Sequence, residues 1–202
     1  FNGTVRINFD GNFATIENPV SGVTITQSGA DVVINSSASG AAYELTGSTA
    51  SGSFKIYSDK KFKITLNAVS ITNNDGPAIN IQSGKRAFIV LADGKENKLT
   101  DAATYAASNE DQKGTIFSEG QLIFSGTGTL AVSGKTKHAI ASDDYIRIVE
   151  GNIQVSDAIS DGLHSNDGIY IDGGKINIVA NSDGIEAEKG RIIVNGGEIT
   201  LK

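Results

Sequence analysis

The sequence predicts an all-β fold, a right-handed parallel β-helix (a solenoid) with coils of about 23 residues. Three observations support this prediction: a repeat of fixed length, alternation of apolar and polar residues within each repeat, and glycines at regular positions between the apolar runs. The repeat is clearest from residue 115 onward. Two apolar ladders keep its step: Leu130, Ile153, Ile176 and Ile199, and Val132, Val155, Ile178 and Leu201.

Each repeat contains short segments with the two-residue periodicity of a strand that has one buried face, such as Ile169–Ile171 and Ile176–Ile178. Glycine pairs such as Gly173–Gly174 separate these segments, and glycine readily adopts the backbone angles of tight corners. Each coil is therefore predicted to consist of two or three strands joined by bends. Stacked coils would align equivalent residues about 4.8 Å apart and bury a continuous apolar interior. Right-handed winding is expected because parallel β-crossovers are almost always right-handed.

The pattern continues toward the N terminus with looser spacing. Apolar pairs that we interpret as further coils are Val23/Ile25, Val32/Ile34, Tyr43/Leu45 and Phe54/Ile56. Seven or eight coils result, and because a solenoid has no internal boundary, residues 1–202 are predicted to form a single domain. A longer step between Phe88 and Leu122 predicts a lateral loop at residues 95–113.

The composition restricts the classes of partner. The net charge of -6 disfavours nucleic acid, whose binding needs lysine and arginine to neutralise phosphates. The absence of cysteine excludes disulfides and thiolate metal sites, and no apolar stretch approaches the roughly 20 residues of a membrane span. The chain contains no methionine, so we expect it to come from a longer product by processing or trimming.

Polar residues of the last coils fall into columns when the coils are placed in register. The columns are His138, Asp161 and Asp183; Ala141, His164 and Glu186; and Asp143, Asn166 and Glu188. Strand alternation predicts that the second and third columns lie on the outer face. Asp161 and Asp183 are expected at the preceding corner.

Carboxylates stacked on neighbouring coils repel each other unless a cation, protonation or solvent relieves the crowding. Ca²⁺ takes about six to eight oxygen ligands, so neighbouring coils could bind it jointly. The alternative is that Asp161 and Asp183, which both precede glycine, only end strands through Asx turns. Zinc is disfavoured because the chain has two histidines and no cysteine.

The predicted lateral loop is a second candidate site, since protruding loops of solenoids often carry binding function. Tyr105 could stack on a sugar ring, and Asn109, Glu110 and Asp111 could hold a cation. The alternative is an ordinary solvated loop.

Signals for catalysis are weaker. No Gly-x-Ser-x-Gly motif occurs, and neither His138 nor His164 has a recognisable triad setting. A calcium-assisted polysaccharide lyase is the enzymatic alternative, in which the metal acidifies the proton next to a uronate carboxylate and an unprotonated lysine removes it. The candidate bases are Lys113, Lys135 and Lys137.

Several segments together resemble a bacterial family known as carbohydrate-binding-domain-containing proteins. They are Leu66–Ala78, Asn97–Asp101, Ile116–Ser118, His138–Ser142, and the Asp-Gly-Leu-His and Asp-Gly-Ile-Glu-Ala motifs that begin at Asp161 and Asp183. The likeness extends from about Gly40 to Lys202. The chain departs from the family pattern at Ile148–Gly151, where Val149 and Glu150 replace an expected Gly-Gly corner.

The resemblance implies a secreted or cell-surface β-helix similar in shape to pectate-type polysaccharide lyases. It also implies calcium sites and binding of cellulose or of acidic sugars such as polygalacturonate, generally without demonstrated cleavage. Carried over by position, it favours Asp161, Asp183 and Glu186 as calcium ligands. Asn109, Glu110 and Asp111 are further candidates in the loop, and we predict that Tyr105 and His164 contact polysaccharide.

These observations predict a non-catalytic, calcium-stabilised binder of acidic or cellulosic polysaccharide. Its long flat sheet would fit an extended glycan, with Ca²⁺ bridging protein and uronate carboxylates. Stacking on cellulose is less favoured, since the chain has eight phenylalanines, five tyrosines and no tryptophan. The alternatives are the lyase and a structural or adhesive surface solenoid without a sugar ligand. The sequence gives no indication of an oligomeric state.

Overall fold

The computed structural model describes residue 1 and residues 3–202. These residues form strands and no helix. They therefore include no helix that could span a bilayer. The first strands are β1 (Gly3–Asp10), β2 (Phe13–Glu17), β3 (Val23–Ser28), β4 (Ala30–Ser36), β5 (Ala41–Thr49), β6 (Gly52–Ser58), β7 (Phe62–Thr72), β8 (Ile79–Ile81), β9 (Ala87–Leu91), β10 (Glu96–Thr100) and β11 (Gly114–Ser118). The remaining strands are β12 (Leu122–Ser125), β13 (Thr129–Gly134), β14 (His138–Ser142), β15 (Tyr145–Ile148), β16 (Asn152–Ala158), β17 (Leu163–Ser165), β18 (Gly168–Ile171), β19 (Lys175–Ile178), β20 (Ile185–Ala187), β21 (Arg191–Val194) and β22 (Glu198–Leu201).

The strands form two sheets. The smaller sheet has eight strands in the order β20-β17-β14-β11-β8-β6-β4-β3. The larger sheet has 14 strands; its main path is β21-β18-β15-β12-β9-β7-β10-β13-β16-β19-β22, and β5, β1 and β2 extend from β7.

Strand β7 divides the larger sheet into two ladders. Its first part pairs with β9, where Phe62 lies opposite Ala87, and its last part pairs with β10, where Ser70 lies opposite Lys98. We call the strands β9, β12, β15, β18 and β21 the first ladder, and β10, β13, β16, β19 and β22 the second ladder. From β8 onward each coil contributes one strand to the smaller sheet and one to each ladder. The solenoid has about seven turns, which confirms the predicted parallel β-helix.

The apolar columns read from the sequence are confirmed by the strand register. Ile153 lies opposite Leu130 and Ile176, and Ile176 lies opposite Ile199. Leu130, Ile153 and Ile176 are fully buried and form part of one continuous core. The last described coil (β20–β22) packs against the coil before it, and its Ile192 is 46% exposed.

The N-terminal strands differ from the prediction of consecutive coils. β1 pairs antiparallel with β2, and β3 pairs antiparallel with β4, so that Ile25 lies opposite Ile34 in one hairpin. Gly11 and Gly29 are at the two turns with φ angles of 61° and 60°, a left-handed conformation that suits tight hairpins. The two apolar pairs that we interpreted as separate coils are therefore the two arms of one hairpin.

The lateral loop is shorter than the predicted residues 95–113 and spans residues 101–113. Glu96–Thr100 is strand β10, which pairs with both β7 and β13. Leu99 is fully buried in the core, and the side chain of Asn97 is also buried. Burial of these two residues holds the segment in the sheet.

Candidate functional site

Five polar residues from three successive coils meet at the corner that precedes the smaller sheet. We call this set the His-Asp corner: His138, Asp161, His164, Asp183 and Glu186. Stacking of the coils brings them together, since the N–H of Ala139 donates to the Asp161 carbonyl (3.1 Å) and the N–H of Gly162 donates to the Asp183 carbonyl (3.0 Å). His164 lies directly opposite Glu186 on the neighbouring strand. The predicted columns are thus adjacent in space.

Asp161 is the centre of the corner, and only 2% of it is exposed. Its Oδ2 atom lies 2.9 Å from Nδ1 of His138 and 3.1 Å from Nδ1 of His164. Its Oδ1 atom accepts a hydrogen bond from the N–H of Asp183 (3.1 Å). Burial alone would raise the pKa of Asp161, but the hydrogen bond from the N–H of Asp183, followed by neighbouring side chains, outweighs it and lowers the pKa below its usual value. Asp161 is therefore a carboxylate at neutral pH.

The two histidine rings stack with their centroids 4.0 Å apart and their planes inclined by 16°. His138 is 2% exposed. Burial, followed by the neighbouring His164, lowers the pKa of His138 to about 4, and the attraction of Asp161 only partly offsets this. His138 is therefore a neutral imidazole at pH 7. Its Nε2 atom is buried and has no hydrogen-bond partner among the described residues.

The outer side of the corner is open to solvent. Asp183 is exposed, and the Glu186 side chain is 38% exposed with Oε2 2.8 Å from Nδ1 of His164. One ligand atom each from Asp161, Asp183 and Glu186 all lie within 4.8 Å of one another. The same holds for one atom each from His138, Asp161 and His164.

These two donor sets share Asp161 and suit different ions. The three carboxylates offer oxygen ligands of the kind that calcium prefers. The two imidazole nitrogens with one carboxylate are typical of zinc and other transition ions. The predicted set of Asp161, Asp183 and Glu186 is therefore assembled in space, with exposed positions where further oxygen ligands can enter.

The burial of His164 differs from the outer-face position predicted by strand alternation, since only 8% of this residue is exposed. Its ring lies against that of His138 and between the carboxylates of Asp161 and Glu186. His164 is thus in contact with the candidate metal ligands, and sugar contact by His164 stays a prediction. His138 was not among the predicted ligands, although its place in the same column as Asp161 was the signal that could have identified it.

Among the described residues, the lateral loop has no group of three metal-ligating side chains like those of the His-Asp corner. Glu110 is bound by Lys55, with Nζ 2.7 Å from Oε2, and by the hydroxyl of Tyr57. Burial opposes ionisation of Glu110, but these two partners outweigh it and lower its pKa. Asp111 pairs with Lys113 at 2.8 Å. Glu110 and Asp111 are thus each paired with a lysine, and only Lys55 is far from its partner in the sequence. The contribution of Asn109 stays a prediction.

Tyr105 is half-buried, and its hydroxyl donates to Oδ2 of Asp101 (2.6 Å). Burial and the charge of Asp101 raise the pKa of Tyr105. Asp101 in turn accepts the N–H of Lys135 (2.6 Å), so Tyr105 helps to hold the loop against the solenoid. Stacking of its ring on a sugar stays a prediction.

Two of the three candidate catalytic lysines, Lys113 and Lys135, are paired with carboxylates. Nζ of Lys113 lies 2.8 Å from Asp111 and 2.5 Å from Asp143. Burial favours the neutral amine, but the two carboxylates outweigh it and raise the pKa of Lys113. Lys135 forms an ion pair with Asp157. A raised pKa is the opposite of what a general base near neutral pH requires.

Three comparisons place these features among known proteins. A solved structure, the polysaccharide lyase-like protein from C. thermocellum in a gadolinium derivative, superposes with a TM-score of 0.89 at 30% identity, over 98% of this chain and 82% of that one. A carbohydrate-binding domain-containing protein of Acetivibrio thermocellus is 33% identical over 118 residues, 56% of this chain and 41% of that protein. The chain thus matches less than half the length of this curated relative. Residues 21–202 match the carbohydrate-binding domain-containing protein family, and the chain belongs to that family.

Proposed function

We propose that this β-helix is a non-catalytic binder of acidic polysaccharide, of the polygalacturonate type, and that calcium at the His-Asp corner stabilises both the fold and the complex. Membership of the carbohydrate-binding family supports the polysaccharide part of the proposal. The observation that carries the calcium part is the convergence of three carboxylates, from Asp161, Asp183 and Glu186, within 4.8 Å. Secretion or display at the cell surface would follow from such a ligand.

The residues present fit a calcium ion. Asp161 would supply a buried carboxylate that two imidazoles and a backbone N–H hold in one orientation. Asp183 and Glu186 would supply carboxylates from the next coil on the solvent side. Three side chains leave several of calcium's roughly six to eight oxygen positions for backbone carbonyls, water or a ligand. The carboxylate of a uronate sugar has the charge and the oxygen atoms to take such a position.

A calcium-dependent lyase is the second candidate, because the related solved structure is described as polysaccharide lyase-like. The lysine pairings oppose it. Lys113 and Lys135 each donate to at least one carboxylate, and the pKa of Lys113 is raised. The third candidate, a structural or adhesive solenoid, would bind no glycan at all.

The three candidates give different results in one binding experiment. Retardation of the protein in gels containing polygalacturonate is measured with calcium and again with a chelator, while ultraviolet absorbance of the mixture reports unsaturated lyase products. We expect retardation in calcium, at least about tenfold weaker binding in chelator, and no rise in absorbance. Asp183→Ala should reproduce the effect of the chelator, whereas Asp59→Ala, an equal loss of charge at an exposed site directly after β6, should not.

Each contrary outcome identifies an alternative. A steady rise in absorbance supports the lyase and contradicts a purely binding role. Equal retardation with and without chelator contradicts the role of calcium. No retardation by any acidic glycan contradicts the proposed function and leaves the structural solenoid.

A further inference from the structure

Lys55 and Asn80 lie side by side on the outer face of the smaller sheet. The parallel register of β6 and β8 places them directly opposite each other, on strands about 4.8 Å apart. Both side chains point away from the core, since the residues just before them, Phe54 and Ile79, are fully buried within it. A flexible amine and a short amide therefore project from the same face of adjacent coils.

The amide of Asn80 is buried and only partly satisfied. Only 2% of this residue is exposed. Its Oδ1 atom accepts a hydrogen bond from Nε2 of Gln82 (2.7 Å), whereas its Nδ2 atom is buried and has no hydrogen-bond partner among the described residues. A buried donor without a partner destabilises the folded state and is rare in proteins. Loss of this nitrogen would break no hydrogen bond and would remove the unpaired donor.

Glu110 of the lateral loop contacts the amine of Lys55. Its Oε2 atom lies 2.7 Å from Nζ, and its Oε1 atom accepts a hydrogen bond from the hydroxyl of Tyr57. The Lys55 side chain is only 26% exposed. Transfer of a proton from the ammonium to the carboxylate leaves two neutral groups, and partial burial makes this transfer less costly than it is in water. Glu110 is therefore placed to free the lone pair of the amine.

The surroundings of the two side chains favour a neutral amine and leave room beside it. Val33 lies opposite Lys55 on one side, and the fully buried Phe117 lies opposite Asn80 on the other. Apolar neighbours of this kind reduce the hydration that stabilises an ammonium group. Lys55 and Asn80 also both line a hollow of about 300 Å³ between the smaller sheet and residues 106–108 of the loop. A small molecule released at Asn80 can leave through this hollow.

We infer that Lys55 and Asn80 form an intramolecular amide bond between their side chains, with Glu110 as the catalytic proton carrier. The bond joins Nζ of Lys55 to Cγ of Asn80 and releases Nδ2 as ammonia. The inference goes beyond the proposed function, because it involves neither calcium nor glycan. It assigns a covalent modification to the outer face of the smaller sheet.

The reaction needs no reagent from outside the protein. Glu110 takes a proton from Nζ of Lys55, and the freed lone pair attacks Cγ of Asn80. The negative charge that develops on Oδ1 is stabilised by the Nε2–H of Gln82. Glu110 then gives its proton to Nδ2 and removes a second proton from Nζ while the Cγ–Nδ2 bond breaks. The departing ammonia carries this second proton away as ammonium, and Glu110 is again a carboxylate. Because the reaction takes place once per molecule, a slow rate is sufficient.

The new bond ties two adjacent coils together. It closes a covalent loop between positions 55 and 80, and such a crosslink restricts the unfolded chain. The amide N–H at Nζ can still donate to Glu110, so the contact between the smaller sheet and the lateral loop is kept. The crosslink therefore strengthens the part of the solenoid from which the loop protrudes.

Mass spectrometry of the intact, denatured protein tests the inference. We expect a mass lower than that of the sequence by one molecule of ammonia. Digestion with trypsin locates the change: the segment that contains Lys55 should be joined to the segment that contains Asn80, without cleavage after Lys55.

Three variants identify the groups that react. Lys55→Arg keeps the positive charge but lacks the amine, and Glu110→Gln lacks the base, so both should have the full mass of their sequences. Lys60→Arg, which changes an exposed lysine directly after β6, should still lose one ammonia. Thermal melting shows that the variants are folded. The tryptic peptides of the unmodified protein give the answer even for a variant that does not fold.

Each contrary result overturns a defined part of the inference. A full sequence mass for the unmodified protein, or separate tryptic peptides for the two segments, contradicts the bond. Loss of ammonia that persists in Lys55→Arg also contradicts it, because the loss then arises at another site. A crosslink that still forms in Glu110→Gln refutes the role of Glu110. These masses are measured without calcium or polysaccharide, so they leave the proposed function to its own experiment.

Discussion

Acidification should destabilise the chelator-stripped protein through His138. Burial and the adjacent His164 lower the pKa of His138 from 6.5 to about 4 in the folded state. The unfolded chain therefore takes up a proton at a higher pH than the folded chain does, so the free energy of unfolding falls as the pH drops from 6.5 to 4. Each pH unit is worth about 1.4 kcal/mol, which gives a loss of about 3 kcal/mol over this range.

The contribution of Asp161 is lost at lower pH. Its pKa is lowered below 3.8, so the stability that it contributes is present above that value and disappears only as the pH falls through the folded-state pKa. Between pH 6.5 and 4, the change in the free energy of unfolding therefore reports His138 and not Asp161.

Urea unfolding at pH 7.0 and pH 4.5 measures the effect. His138→Asn, which keeps a polar side chain but removes the titrating ring, provides the comparison. We expect the loss of stability on acidification to be about 2–3 kcal/mol larger in the unmodified protein than in His138→Asn. An equal loss in both proteins would refute the reasoning, because the depressed pKa of a buried His138 would then contribute nothing.

Three further predictions concern the solenoid and its loop. In the same urea series, Ile153→Ala should reduce the free energy of unfolding by about 3 kcal/mol. Ile199→Ala should reduce it by only about 1 kcal/mol, because Ile199 is partly buried. Equal losses would contradict the difference in burial between these two residues. Ala68 lies at a bulge of β7 and has a φ angle of 56°. Ala68→Gly should raise the free energy of unfolding by about 0.5–1 kcal/mol, since glycine tolerates this φ angle, and a loss of stability would show that Ala68 is not strained. Lys55→Met should leave Glu110 without its cation and speed proteolytic cleavage within residues 101–113, while unchanged cleavage would show that the pair does not hold the loop.

The sequence predicted the regular part of the fold because its repeat is almost invariant. A step of 23 residues places Leu130, Ile153 and Ile176 in one column, and the strand register has the same column. The same register predicted that Asp161 and Glu186 would lie on adjacent coils. Which residues face each other on neighbouring coils follows from the repeat length, and the repeat length can be read directly from the sequence.

Other features depend on contacts that spacing does not encode. Whether Val23–Ser28 continues a coil or folds back as a hairpin depends on a single turn at Gly29. Burial of His164 depends on the stacking of its ring on His138. The pairing of Glu110 with Lys55 joins residues 55 positions apart, across two different coils. Strand alternation and loop composition carry no signal for such side-chain packing.

Calorimetric titration of the chelator-stripped protein with calcium tests the central claim most directly, because the corner exists only if stacked coils bring their carboxylates together. We predict saturable binding at one site, abolished by Asp161→Asn, strongly weakened by Asp183→Ala and unchanged in Asp59→Ala. Absence of heat with calcium together with saturable binding of zinc would contradict the proposal, and would assign the corner to the nitrogen ligands of His138 and His164 instead.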